Sequence, residues 1–121
     1  MSAPTNTPIM NTPIVHFDIT GPDDERLRAF YADVLGWSIE PKGPGYALVT
    51  TGGGLRGAIV EGEQPGVVLG LGVDNLSAAV DHAVAQGGTI VMPPTDNGWV
   101  TKAQVADPVG NIITLIQSAK R

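Results

Sequence analysis

The chain has 121 residues, 42% hydrophobic and 16% charged, the size of one domain able to bury about two-thirds of its unfolded surface. Seven Lys and Arg against 12 Asp and Glu give a net charge of −5, the wrong sign for tracking nucleic-acid phosphates or an anionic membrane surface, so neither is an expected partner. Without cysteine there can be no disulfide, thiolate zinc site or cysteine nucleophile, and no apolar run reaches the roughly 18–20 residues of a membrane span; lacking a basic, long-apolar leader, the protein is expected in the cytoplasm.

Residues 1–13 hold Pro4, Pro8, Pro13 and a doubled Asn-Thr-Pro-Ile with no period, which reads as a disordered extension. A single domain is expected over residues 14–118. It opens on the strand-like run Ile-Val-His-Phe-Asp-Ile from Ile14. Next, Leu27, Phe30, Tyr31, Val34 and Leu35 fall on one helical face, predicting a helix over 22–35. Pro22 suits its first turn, Asp23, Asp24 and Glu25 suit the positive end of its dipole, and Gly36 suits a left-handed cap.

Three short β-type runs follow, at 38–42, 46–51 and 55–60, and then a polar connector over 61–66. The pattern then repeats. Val-Val-Leu-Gly-Leu-Gly-Val from Val67 is a strand, and Leu76, Ala79, Val80, Ala83 and Val84 repeat the helical template before Gly87 and Gly88. Three further β-type runs, at 89–92, 100–106 and 112–117, complete a second β-α-β-β-β unit, so the units span about 14–60 and 67–117.

The paired units, the Phe30–Trp37 run Phe-Tyr-Ala-Asp-Val-Leu-Gly-Trp, and above all Asp-Pro-Val-Gly-Asn and the apolar strand after it (Asp107–Gln117) resemble the vicinal oxygen chelate superfamily. That group holds glyoxalase I, bleomycin-resistance proteins and extradiol dioxygenases. The resemblance covers Ile14 to Gln117 and implies an α+β fold in which two β-α-β-β-β units form a half-barrel, with helices on the convex side and a cavity on the concave side. Strand alternation sorts the side chains. Val15, Phe17 and Ile19, with Val67, Leu69, Leu71 and Val73, are expected against the helices. The cavity set is then His16, Asp18, Thr20, Tyr46, Leu48, Thr50, Arg56, Val68, Gly70, Gly72, Lys102, Gln104, Ile112, Thr114 and Ile116, with the two glycines leaving room.

Metal-using members take ligands from four cavity-facing positions, one near the start of each unit's first strand and one on its last. Here the resemblance places His16, Val68 and Thr114 at three of them and a residue near Ala58 at the fourth. A catalytic divalent metal commonly needs three His or carboxylate ligands, so no metal and no cofactor are expected, and the resemblance narrows to the metal-free branch.

Other features have plainer readings. Gly52–Gly57 fits G-x-G-x-x-G but leads into a strand, not a helix, so it reads as a hairpin turn. His82 lies off its helix's apolar stripe and Trp37 is expected in the core, while Trp99 is a candidate for the cavity mouth. His16 and Asp18, two apart on one strand, lie about 7 Å apart on one face and are the candidate catalytic pair. No serine accompanies them as a nucleophile.

Two functions remain open. One is a module that binds or sequesters a small organic molecule, an antibiotic or metabolite, in a half-apolar site. The other is a metal-independent lyase or isomerase with His16 and Asp18 as general base and Lys102 or Arg56 stabilising an enolate. Metal-dependent glyoxalase or dioxygenase chemistry is a distant third. A homodimer is implied by the resemblance alone.

Overall fold

The computed structural model describes residues 11–118. Most of the expected N-terminal extension lies outside them, but the Pro13 carbonyl accepts a hydrogen bond of 3.0 Å from Gly72 N. In chain order the elements are β1 (Ile14–Gly21), α1 (Asp24–Leu35), β2 (Ser38–Gly43), β3 (Tyr46–Thr50), β4 (Arg56–Glu61), β5 (Gly66–Val73), α2 (Leu76–Ala85), β6 (Thr89–Asp96), β7 (Thr101–Ala106) and β8 (Ile112–Gln117).

Both helices start on a polar cap. Asp23 accepts from Arg26 N at 3.2 Å and caps α1, which therefore starts at Asp24, two residues past Pro22, and leaves Pro22 outside the first turn where it was expected. Asn75 does the same for α2 through Ala78 N, at 3.1 Å. At the far end of α1, Gly36 adopts φ 71°, the left-handed geometry for which glycine carries no Cβ penalty.

The strands form one eight-stranded sheet in the order β2-β3-β4-β1-β5-β8-β7-β6. Its edges, β2 and β6, are not joined, so the sheet is open. Pro41 on one edge and Pro93 and Pro94 on the other remove donors where an edge strand otherwise invites foreign pairing. Each unit contributes four strands, with its first and last paired in parallel, β1 with β4 and β5 with β8. Antiparallel pairing of β1 with β5 joins the units within the chain.

The helices pack on one face over separate cores. Leu27 and Tyr31 of α1 cover Phe17, Ile19, Val49 and Ile59, and α2 brings Leu76 and Val80 onto Val73, Ala103, Val105 and Leu115. Two expectations from strand alternation fail here. The β1–β5 register slips between Ile14 and His16, and this bulge turns Val15 to the helix-free face, 3.3 Å from where a Gly72 Cβ would stand. Val67 and Leu69, expected to pack, are 64% and 39% exposed, because the two helices cover flanking strands and leave the start of β5 bare.

Phe17 lies flat on Gly57. A Cβ there would overlap the ring's Cζ, while Trp37 packs against the ring at 5.6 Å between centroids and stacks on Tyr31 at 5.4 Å. Gly57→Ala is therefore expected to destabilise the fold by about 1–3 kcal/mol in urea denaturation, the usual cost of overpacking, and adding Phe17→Leu should recover part of the loss. An unchanged midpoint for Gly57→Ala would contradict this packing.

The Asp107–Asn111 turn sets the start of β8. Asp107 accepts from the Asn111 side chain at 2.8 Å and from the backbone N–H groups of Asn111 and Val109 at 2.9 and 3.0 Å. The Asn111 side chain first, and then the backbone N–H groups, hold the Asp107 carboxyl below its ordinary value of 3.8. A depressed folded-state pKa contributes stability above that ordinary value and loses it as pH falls through the folded-state value. The stability advantage of the wild type over Asn111→Ala should accordingly be largest near neutral pH and shrink below about pH 4, checked by denaturation at a series of pH values. A gap independent of pH would contradict it.

Candidate functional site

The helix-free face of the sheet is built on cross-strand rows. Residues directly opposite in neighbouring strands share a face. One row runs Thr50, Arg56, His16, Gly70, Thr114, Gln104, Met92, and the next runs Glu40, Leu48, Ala58, Asp18, Val68. Tyr46 and Thr20 flank Val60 beyond the second row, and Ile116 joins Gly72 to Lys102 beyond the first. Ile112 closes this face beside Ala106. Trp99 stands apart, 87% exposed in the turn between β6 and β7. His82 is exposed on α2.

His16 and Asp18 touch. Nε2 of His16 lies 2.9 Å from Oδ1 of Asp18, with the side chains 29% and 25% exposed. Backbone spacing of alternate residues allowed this contact, and side-chain rotation closes it. On the other side of the centre, Gln104 Nε2 donates to Thr114 Oγ1 at 3.2 Å.

Gly70 does not leave an empty place. A Cβ on it would meet His16 Cβ and Ile116 Cδ1, both at 3.0 Å, so the two side chains close over the glycine and fill the volume it vacates. Gly72 is less confined, facing Val15 Cγ1 at 3.3 Å and Ser118 Oγ at 3.4 Å. The expected room beside these glycines is thus taken by neighbours. Gly70→Ala should lower the melting temperature more than Gly72→Ala, since His16 and Ile116 are packed and Val15 is 43% exposed and can move. Equal effects would contradict the assignment.

A depression that was not foreseen lies elsewhere on the molecule. It is an open, mostly apolar cleft of about 370 Å³ where β1 meets α1, lined by Thr20, Gly21, Pro22, Asp23, Arg26, Leu27, Phe30 and Pro65. Of the apolar stripe read from the sequence only Leu27 and Tyr31 pack on the core, while Phe30, Val34 and Leu35 are half-exposed, a difference the residue types do not reveal.

A family model described as the Glyoxalase/Bleomycin resistance protein/Dioxygenase superfamily matches residues 13–115. The chain belongs to this superfamily. Among its relatives is the protein named "Putative glyoxylase CFP32" of Mycobacterium bovis, 30% identical over 114 residues, which cover 84% of this chain and 44% of that protein. The chain thus spans under half the length of that relative. Methylmalonyl-CoA epimerase from Mycobacterium tuberculosis has a similar structure (TM-score 0.64, 20% identity, 88% of each chain covered). So does the Mn(II)-bound glyoxalase from Novosphingobium aromaticivorans (TM-score 0.70, 20% identity), of which the match takes in 41% against 91% of this chain. At these identities the likeness speaks for the shared fold.

The superfamily's four ligand positions can be examined on the sheet register. The β1–β5 ladder is locally two-fold, pairing His16 with Gly70 and Asp18 with Val68, so His16 and Val68 are counterparts. Asp18 pairs with Ala58 as Gly70 pairs with Thr114, which makes Ala58 the counterpart of Thr114. The donor set is then one imidazole, one hydroxyl already engaged by Gln104, and two aliphatic side chains. Among the described residues no three His, Cys, Asp or Glu side chains come together as a metal site. These residues do not fit a divalent metal.

Proposed function

We propose that this superfamily member binds a small organic molecule on the helix-free face of its sheet without using a metal ion, sequestering or carrying it. The donor set carries this reading: Ala58 and Val68 offer nothing to a cation, and Thr114, 4% exposed, is hydrogen-bonded to Gln104. What the face does offer is the mixture a small organic ligand uses, with Leu48, Val68, Ile112 and Ile116 as apolar surface and His16, Asp18, Arg56, Lys102 and Gln104 as polar points. Tyr46 and Gly70 complete it. Within the chain, no helix among the described residues is long and apolar enough to cross a membrane. Action in the cytoplasm, as a homodimer, fits this reading.

The contact of 2.9 Å between His16 and Asp18 favours one alternative, proton transfer by an oriented imidazole. In that reading the relative named a glyoxylase and the structurally similar epimerase would share a fold with an enzyme of different equipment, since a metal-independent lyase or isomerase needs only a base and a cation such as Lys102 or Arg56 near the developing negative charge.

A thermal-shift screen of small metabolites and antibiotics separates these readings, because any ligand that binds the folded state alone raises the melting temperature. For a hit, binding predicts recovery of the compound unchanged and a loss of roughly 1 kcal/mol in affinity for His16→Asn, about one hydrogen bond. Consumption of the compound, with His16→Asn binding normally but turning over roughly 100-fold more slowly, would overturn the binding reading in favour of catalysis.

A further inference from the structure

Asp18 decides which nitrogen of His16 meets a ligand. An ionised carboxylate only accepts hydrogen bonds, so at the contact of 2.9 Å the neutral imidazole carries its proton on Nε2 and its lone pair on Nδ1. Among the described residues His16 makes no other side-chain hydrogen bond, and its side chain is 29% exposed. The face therefore presents a fixed acceptor where an unpaired histidine would offer either tautomer.

Arg56 stands beside that acceptor. It is the Cα partner of His16 on the adjacent parallel strand, about 4.8 Å away by sheet geometry. Its side chain is on the same face as His16, since the next residue, Gly57, points to the opposite face under the Phe17 ring. Arg56 is exposed and, among the described residues, forms no ion pair, so its guanidinium fork is available to a carboxylate. Asp18 is not paired with it, since among the described residues its charged partner is His16. Apolar surface continues from the pair through Val68 and Ile116.

A guanidinium, an acceptor and an apolar surface in this order across the sheet have one chemical complement. We infer that the site selects organic carboxylates that carry a hydroxyl or amino group close to the carboxylate and an apolar body: the carboxylate on Arg56, the O–H or N–H donating to His16 Nδ1, and the body along Val68 and Ile116. Asp18 is then a positioning residue. It sets the tautomer without touching the ligand. This rests on the binding reading above and adds the ligand's class to it.

The test has an arm that needs no ligand. In ¹⁵N-edited NMR at about pH 8, above the ordinary imidazole range, His16 should show the Nε2–H tautomer, and Asp18→Ala should shift it towards a mixture while the amide spectrum stays folded. The second arm compares mandelate with phenylacetate, which lacks the hydroxyl, and with mandelamide, which lacks the charge, by calorimetry. Mandelate should bind roughly 5- to 10-fold tighter than phenylacetate and about 10-fold or more tighter than mandelamide. Arg56→Gln should erase the preference over mandelamide alone, and Asp18→Ala should shrink the preference over phenylacetate. An Nδ1–H tautomer in the wild type, or phenylacetate binding as tightly as mandelate, overturns the inference while leaving small-molecule binding standing. Failure of all three probes to bind overturns the ligand class, and the binding reading is then judged by the broader screen alone.

Discussion

Antiparallel pairing of β1 with β5 holds the two units in one sheet, and its register determines what the helix-free face can do. Because His16 lies opposite Gly70 and Asp18 opposite Val68, the ladder brings each unit's first strand into local two-fold relation with the other's. The parallel partners β4 and β8 are carried along, placing Ala58 and Thr114 symmetrically about the same centre. A slip of one residue would send this whole set to the helix-covered side. The bulge at Val15 is confined to the strand's beginning and leaves the register from His16 onward intact.

The symmetry is of backbone and not of chemistry. At the centre, one unit supplies an imidazole and a carboxylate while the other supplies Val68 and Gly70, so in the proposed binding reading a ligand's polar groups are met from one side and its apolar body from the other. Gly70 has a positive role in the arrangement. Its missing side chain lets His16 and Ile116 close over the strand, so the polar pair rests on a packed floor instead of an empty one. The buried Thr114 and Ala58 belong to that floor. In the proposed binding reading, a packed floor under an open sheet suits a ligand laid along the surface, and the Arg56 guanidinium on the strand beside His16 supplies direction.

The sequence makes the fold legible wherever one residue decides a local conformation or a period recurs. The helices, the cap at Gly36 and the doubled unit are of this kind: Gly36 takes the left-handed turn its position requires, and the template at Leu27 returns at Leu76. Strand alternation sorts the faces of most residues but cannot reveal an inserted one, which is why Val15 is misplaced from the sequence alone. It also tells which side a residue occupies without telling whether anything covers that side. Val67 and Leu69 lie on the helix side as alternation demands, yet neither helix reaches them. At the site, the residue types at the ligand positions are readable from the chain. The contact between His16 and Asp18 depends on side-chain rotation and the space left by Gly70, which the sequence does not encode in any local pattern.

The central claim is that residue identity, at positions the backbone still brings together, denies this face a metal ion. Restoring donors tests it directly: Val68→His with Thr114→Glu adds two ligands to His16, the three that an open catalytic site commonly uses. Titration of wild type and double variant with Co²⁺, followed by its visible absorption and by metal analysis after desalting, gives the comparison. The account predicts no retained Co²⁺ in the wild type and about one equivalent in the folded double variant, with the bands of a low-coordinate ion. Stoichiometric retention by the wild type, or a folded double variant that retains none, would contradict it.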